Sequence, residues 1–251
     1  MLQNRLIPSL LLDGGRLVKG VRYGERRDAG NPRTTVRAHN AQGADELILM
    51  DVSASRQQRA PDFETISTVA AECFMPLTVG GGIASVEIAQ RCMECGADKL
   101  CLNTTALDRP DLIGELAEIL GRQAVVIGVD VANSEDGGQL FDHRTGKVAA
   151  RADWRAWMVE AVERGAGEVR LMSVDREGTR SGMDSRILAE AETLIDVPVI
   201  LEGGAGNIAD IATAMDGGAH AVAIGTMLVF SDNNLIQIKR HLTNHGHGMR
   251  L

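Results

Sequence analysis

Three aspartates, Asp51, Asp130 and Asp175, fall at or just past the ends of apolar runs, and two glycine clusters, Gly80-Gly81-Gly82 and Gly203-Gly204-Ala205-Gly206, follow other such runs. Carboxylates in that position can move protons. Glycines let backbone N–H groups approach an anion with no Cβ in the way. Asp130 ends the run Ala124-Val125-Val126-Ile127-Gly128-Val129, which would partly desolvate its carboxylate and suit it to proton transfer. Asn103-Thr104 and Gly225-Thr226 would add donors to an anion at the start of the following helices. Lys19 is a candidate cation for the same phosphate, and Gly178 lies in a loop that could fold over it.

These features come in duplicate. Ala44-Asp45-Glu46-Leu47-Ile48-Leu49-Met50-Asp51 lines up with Ala166-Gly167-Glu168-Val169-Arg170-Leu171-Met172-Ser173 at an offset of 122 residues. At nearly that offset Val79-Gly80-Gly81-Gly82-Ile83 answers Glu202-Gly203-Gly204-Ala205-Gly206, and Leu102-Asn103-Thr104 answers Ile224-Gly225-Thr226. One glycine loop is weak evidence, because tight turns also use glycine. A pair in register with an internal repeat points to a small substrate carrying two phosphates. The binding set is then Lys19, Asp51, Gly81, Gly82, Asn103, Thr104, Asp175, Gly178, Gly203, Gly204, Gly225 and Thr226, with Asp130 as the catalytic residue.

The elements that must position these groups alternate along the chain. Strands are predicted at 5–11, 46–51, 76–79, 98–102, 123–129, 168–173, 197–201 and 221–224. Helices are predicted near 33–43, 61–74, 85–95, 109–120, 152–164, 184–194, 207–216 and 233–243. The strand runs are continuously apolar, as parallel strands covered on both faces are. Asp108 before Pro110 and Gly206 or Asn207 mark helix starts. Eight strand–helix units in 251 residues predict an α/β fold, a single (β/α)8 TIM barrel over residues 1–251 with a two-fold half-barrel repeat. A doubly wound sheet is the competitor. Two connections, 12–32 and 173–183, exceed the structural minimum and follow strand C-terminal ends, where lids and clamps sit.

At the other ends of the strands, Arg5, Glu46, Lys99 and Glu168 begin the first, second, fourth and sixth. Four charges of alternating sign there would ring the bottom of the barrel axis. Buried charges persist only when paired, and an apolar plug would often be as stable. The ring is therefore either a structural filler or a gated polar passage.

Bulk properties narrow the partners. A net charge of -8 disfavours nucleic acid and anionic membrane, which a basic face would meet. No apolar run reaches membrane-spanning length and no secretory signature opens the chain, so a cytoplasmic protein is expected. Cys73, Cys92, Cys95 and Cys101 lack a second Cys/His pair at ligand spacing and read as packing thiols. The six histidines read as surface residues. Neither metal nor cofactor is implied.

Over its whole length the chain resembles the cyclase subunit of imidazole glycerol phosphate synthase, a (β/α)8 enzyme of histidine biosynthesis. The matching motifs include Leu17-Val18-Lys19-Gly20, Val79-Gly80-Gly81-Gly82-Ile83, Gly96-Ala97-Asp98-Lys99, Arg164-Gly165-Ala166-Gly167-Glu168, Asp175-Arg176-Glu177-Gly178-Thr179 and Gly203-Gly204-Ala205-Gly206. The resemblance implies a glutaminase subunit docked on the barrel bottom, whose ammonia passes a gate of Arg5, Glu46, Lys99 and Glu168 and rises along the axis. It also implies that Asp98 contacts that glutaminase. The family uses two aspartates as general acid and base. Asp130 matches one, and Leu11 stands where the other is expected, with Asp13 too far along an extended strand to replace it directly. Glu202 stands where the family usually has a small residue. Ile7-Pro8-Ser9-Leu10-Leu11-Leu12 and Glu72-Cys73-Phe74-Met75-Pro76-Leu77 are similar to cyclase-like paralogues of surface-polysaccharide clusters, thought to deliver ammonia to a sugar-modifying amidotransferase. The first expectation is therefore an ammonia-channelling synthase subunit with its cyclase chemistry weakened or re-tasked. The second is a working cyclase lyase.

Overall fold

The computed structural model describes residues 3–133 and 136–250. In chain order the elements run β1 (Arg5–Asp13), β2 (Arg16–Lys19), β3 (Arg27–Gly30), α1 (Pro32–Ala41), β4 (Leu47–Asp51), α2 (Phe63–Ala70), β5 (Leu77–Gly80), α3 (Val86–Glu94) and β6 (Lys99–Leu102). Then come α4 (Thr104–Asp108), α5 (Asp111–Leu120), β7 (Val125–Ala132), β8 (Gln139–Asp142), β9 (Lys147–Val148), α6 (Trp154–Glu163) and β10 (Glu168–Ser173). The chain finishes with α7 (Ser185–Leu194), β11 (Val199–Glu202), α8 (Ile208–Asp216), β12 (Ala221–Ile224), α9 (Thr226–Val229) and α10 (Leu235–Asn244).

Eight of these strands pair in parallel around a closed circuit, β1-β4-β5-β6-β7-β10-β11-β12 and back to β1. The doubly wound alternative is excluded by that closure. Side chains alternate across each strand. Leu6, Leu47, Leu49, Val199 and Leu201 face outward into the core beneath the helices. Ile7, Ile48, Ile200, Ala221 and Ala223 face inward and pack together as an apolar layer on the barrel axis. Each such isoleucine, fully buried, contributes on the order of 2–3 kcal/mol.

Helix starts follow local chemistry. Asn207 caps α8 in a reciprocal box with Asp210, as the sequence anticipates. Asp108 does not cap α5. It closes the short α4, Pro110 takes the cap position, and the Asp108 carboxylate pairs with Arg144 instead.

Two hairpins depart from the expected plan. The 12–32 connection contains β2, antiparallel to β1, and β3, antiparallel to β2. After β7 the strand runs on to Ala132 and turns back through β8, so a third long connection reaches to α6. Neither hairpin was legible as structure, because their strands are short and lie among glycines and charges. No helix among the described residues is long and apolar enough to cross a membrane.

The repeat aligns at one offset throughout. β4, β5 and β6 end at Asp51, Gly80 and Leu102, and β10, β11 and β12 end at Ser173, Glu202 and Ile224, each 122 residues later. The glycine loops therefore correspond as Gly80-Gly81-Gly82 with Glu202-Gly203-Gly204, one residue from the register expected from sequence.

Candidate active site

At the N-terminal ends of the strands the four expected charges meet. Arg5 donates to Glu46 Oε1 at 2.7 Å and to Glu168 Oε1 at 2.6 Å. Lys99 Nζ donates to Glu46 Oε2 at 3.0 Å and to Glu168 Oε2 at 2.9 Å. Each cation touches both acids, so the ring is closed. The two cations are about a fifth exposed and the glutamates less than a tenth, which places the ring at a solvent boundary rather than deep in the core. Burial works to lower the Arg5 pKa, but Glu168 and Glu46 outweigh it and hold the guanidinium above its ordinary value. Asp98 is exposed on the same side, and its carboxylate accepts from the Leu77 N–H at 2.8 Å.

At the C-terminal ends the mouth holds two clefts. The larger, about 760 Å³, is lined by Asp51, Gly81, Gly82, Asn103, Thr104 and Asp130, with Leu11 among them. The smaller, about 320 Å³, is lined by Lys19, Gly178, Gly203, Gly204, Gly225 and Thr226, with Glu177 and Glu202. The sequence-predicted residues thus segregate by half of the repeat with two exceptions: Lys19, from the first half, lines the smaller cleft, and Asp130, from the second, lines the larger. Asp175 lines neither of these clefts; its backbone carbonyl accepts from Arg22 Nε at 2.8 Å.

The glycines answer to packing before any ligand. Gly81 has φ +93°, and a Cβ there would lie 2.1 Å from the Asp51 carbonyl oxygen. Gly203, its mate, has φ +99°, and its Cβ would lie 2.8 Å from the carbonyl oxygen of Ser173, the residue matching Asp51. Both loops tuck under the preceding strand end, which only glycine permits. Gly225 is different. A Cβ there would lie 2.1 Å from Lys19 Nζ, so the absent side chain makes room for the ammonium. Lys19 is buried. Burial pushes its pKa down, opposed by the carboxylates of Glu202 and Glu177.

Asp130 is the most constrained group of the mouth. It is 1% exposed, and its Oδ2 accepts from Asn103 Nδ2 at 2.6 Å and contacts His143 Nε2. Arg170 Nη1 lies 3.5 Å from Oδ1. Burial alone would raise its pKa, but His143, Arg170 and Asn103 reverse that and hold the carboxylate below its ordinary range. Asp51 is bound by Arg59 through both oxygens, at 2.7 and 2.9 Å, and also accepts from the Ala54 N–H at 3.1 Å. It organises the loop after β4 as well as lining the cleft. Asp13 is ion-paired with Arg26 at 2.8 Å and does not reach the cleft that holds Asp130.

Three residues of the mouth escaped the sequence reading. His143 rides the β8–β9 hairpin, and the histidines are not all superficial: His143 touches Asp130, and His39 is buried. Tyr23, on the β2–β3 connection, packs edge-on against His143 with ring centroids 4.2 Å apart. Arg170 points into the barrel, buried, with Nε donating to Glu202 at 2.6 Å. An arginine inside the apolar run Glu168-Val169-Arg170-Leu171-Met172 was the available signal for the last. The cysteines remain free thiols, and burial pushes Cys101, which lines the larger cleft, up to about 12. Among the described residues no group of three or more His, Cys, Asp or Glu is placed to hold a metal ion.

A ring of paired charges thus lies at one end of the barrel and two clefts bordered by glycines at the other, the larger holding the buried carboxylate of Asp130. The chain is 40% identical over 246 residues to the imidazole glycerol phosphate synthase subunit HisF of Streptomyces coelicolor, covering 98% of each chain. It is 41% identical over 251 residues to the same-named subunit of Hyphomonas neptunium, covering 100% of this chain and 99% of that one. It is 42% identical over 252 residues to that of Chloroherpeton thalassium, covering both completely. The histidine biosynthesis protein family matches residues 5–234, and with the closed eight-stranded barrel this establishes that the chain belongs to that family.

Proposed function

We propose that this chain, a single barrel domain over residues 1–251, is the ammonia-using synthase subunit of a cytoplasmic glutamine amidotransferase. In this reading a glutaminase docks on the N-terminal face of the barrel and ammonia crosses the Arg5–Glu46–Lys99–Glu168 ring. It then meets a bis-phosphate acceptor bound across the two clefts. The ring carries the reading. Four mutually satisfied charges at a solvent boundary can open by separating one pair, whereas an apolar plug has no such alternative state. The names of the relatives favour the cyclase reaction, which yields imidazole glycerol phosphate.

A second reading, in which the subunit passes ammonia to a different acceptor, is favoured by Glu202. Its carboxylate lines the smaller cleft and sets negative charge beside the place a second phosphate would occupy. One experiment separates the two. The bis-phosphate substrate is supplied with ammonium salt and no glutaminase, and its absorbance is followed. Turnover that is lost in Asp130→Asn supports the cyclase. Lack of turnover by the wild type, with or without binding, rejects the cyclase and leaves delivery to another acceptor.

A further inference from the structure

We infer that His143 is the proton-transfer group of the mouth and that Asp130 is the carboxylate that orients it. The inference rests on the cyclase reading above and deepens it, since it says how the reaction proceeds with Leu11 on the cleft wall.

The β8–β9 hairpin places the imidazole over the end of β7. Its ring packs edge-on against Tyr23, 4.2 Å away at 68°, and against Phe141, 5.0 Å away at 73°. Its backbone carbonyl accepts from Arg56 Nη2 at 3.2 Å. The turn itself is closed by Gly146 N–H donating to the Asp142 carbonyl at 2.9 Å and by the Arg144–Asp142 ion pair at 3.0 Å. The ring is held by two aromatic neighbours, themselves 6.4 Å apart, and by its own backbone.

Asp130 is poorly disposed to meet a substrate. Its side chain is 1% exposed, while that of His143 is 23% exposed and lines the larger cleft. The Asp130 oxygens are already shared among Asn103, Arg170 and His143. The imidazole Nε2 faces that carboxylate, and Nδ1 has no hydrogen-bond partner among the described residues. A carboxylate behind one ring nitrogen fixes the tautomer and stabilises the imidazolium that forms when the other takes a proton. Leu11, lining the same cleft, can move none.

One imidazole can serve both proton transfers of a ring closure. The attacking nitrogen's lone pair forms the new C–N bond, and the proton it sheds goes to Nδ1. The old C–N bond then breaks with its electron pair on the departing nitrogen, and Nδ1 returns the proton there. The imidazole ends as it began, and no oxidant or reductant is required.

The test is ammonium-dependent turnover of the bis-phosphate substrate by the whole chain and by His143→Asn, His143→Ala and Asp130→Asn, across pH. The charged and titratable groups that line the imidazole's cleft are Asp130 on β7, Arg170 on β10, Cys101 on β6, Tyr23 and Arg26 between β2 and β3, Asp51 at the end of β4 and Arg56 after it. Asp142 and Arg144 flank it on its own hairpin. His143→Asn is expected to lower kcat by roughly 10²–10⁴-fold with KM little changed and to remove the acid limb of the kcat profile. Added imidazole should restore turnover to His143→Ala but not to Asp130→Asn. A raised KM with an unchanged pH profile and no imidazole rescue would overturn the inference, leaving His143 a packing residue. Wild-type binding without turnover would overturn it too, while keeping the ammonia-delivery reading. Failure of the wild type to bind the substrate would remove the cyclase reading on which it stands.

Discussion

Arg170 and Glu202 meet inside the barrel, Nε to Oε2 at 2.6 Å, with both side chains almost wholly buried. Arg170 borders the larger cleft and Glu202 the smaller, so their pair forms part of the wall between the clefts. In the first half of the repeat the position of Glu202 is held by Gly80, where a Cβ would lie 2.5 Å from Met50 Sδ. The two halves thus share a backbone and differ in what it encloses.

Breaking that pair should be costly. Glu202→Ser leaves a buried guanidinium with only Asp130 opposite, and a loss of about 3–5 kcal/mol is expected. The double variant Arg170→Leu/Glu202→Ser, which removes the stranded guanidinium but also takes a partner from Asp130 and from Lys19, should recover part of it. Denaturant unfolding of the wild type and both variants measures this. The same substitution removes a negative charge beside Lys19, so inorganic phosphate should bind the double variant more tightly than the wild type by titration calorimetry.

In the proposed reading, the ring at the opposite end separates two nitrogen supplies. Lys99→Met removes one of the two cations that Glu46 and Glu168 share. Turnover driven by glutamine through a bound glutaminase should fall, because ammonia must cross the ring. Turnover driven by ammonium salt should change little, because ammonia reaches the mouth from solvent. The ratio of the two rates is the measurement, and equal losses in both would reject the passage.

Phe74, in the connection from α2 to β5, is 83% exposed and lies on the same face as the ring. An aromatic side chain so exposed is a candidate anchor for a partner. Phe74→Glu should weaken glutaminase binding by at least about 1 kcal/mol while ammonium-dependent turnover stays unchanged. Surface-immobilised binding kinetics would register it.

His39 makes stability depend on pH. Burial holds its pKa down from 6.5 to about 4, and the unfolded chain binds the proton more readily. Its contribution is therefore fully present above pH 6.5 and is lost as pH falls through about 4. The loss amounts to about 3 kcal/mol. His39→Leu should flatten the fall in unfolding free energy between these limits, as urea titrations at stepped pH would show.

The barrel was legible because its strands are apolar on both faces and its helices carry caps. The runs around Val125–Val131 and Val199–Leu201 have no other stable place than a covered parallel sheet. The ring was legible because Arg5, Lys99 and Glu168 stand at the starts of predominantly apolar strands. His143 was not, since the short strands beside it do not bury a periodic face and its partner Asp130 comes from an earlier strand, with a turn between. Arg170 was hidden by averaging, because one cation among four neighbours leaves a strand looking apolar. The glycine clusters were read for phosphate, and the packing of Gly81 against Asp51 and of Gly203 against Ser173 shows that the fold requires them first.

The segments roofing the mouth are buckled to one another. The Arg22 N–H donates to the Glu177 carbonyl at 2.9 Å, the Tyr23 N–H to Glu177 Oε2 at 3.1 Å, and the Arg22 side chain to the Asp175 carbonyl. Displacing either segment alone would break these bonds. The connection that carries Lys19 and the one that carries Glu177 are therefore coupled, and a change that shifts the first is passed to the second through Arg22 and Tyr23.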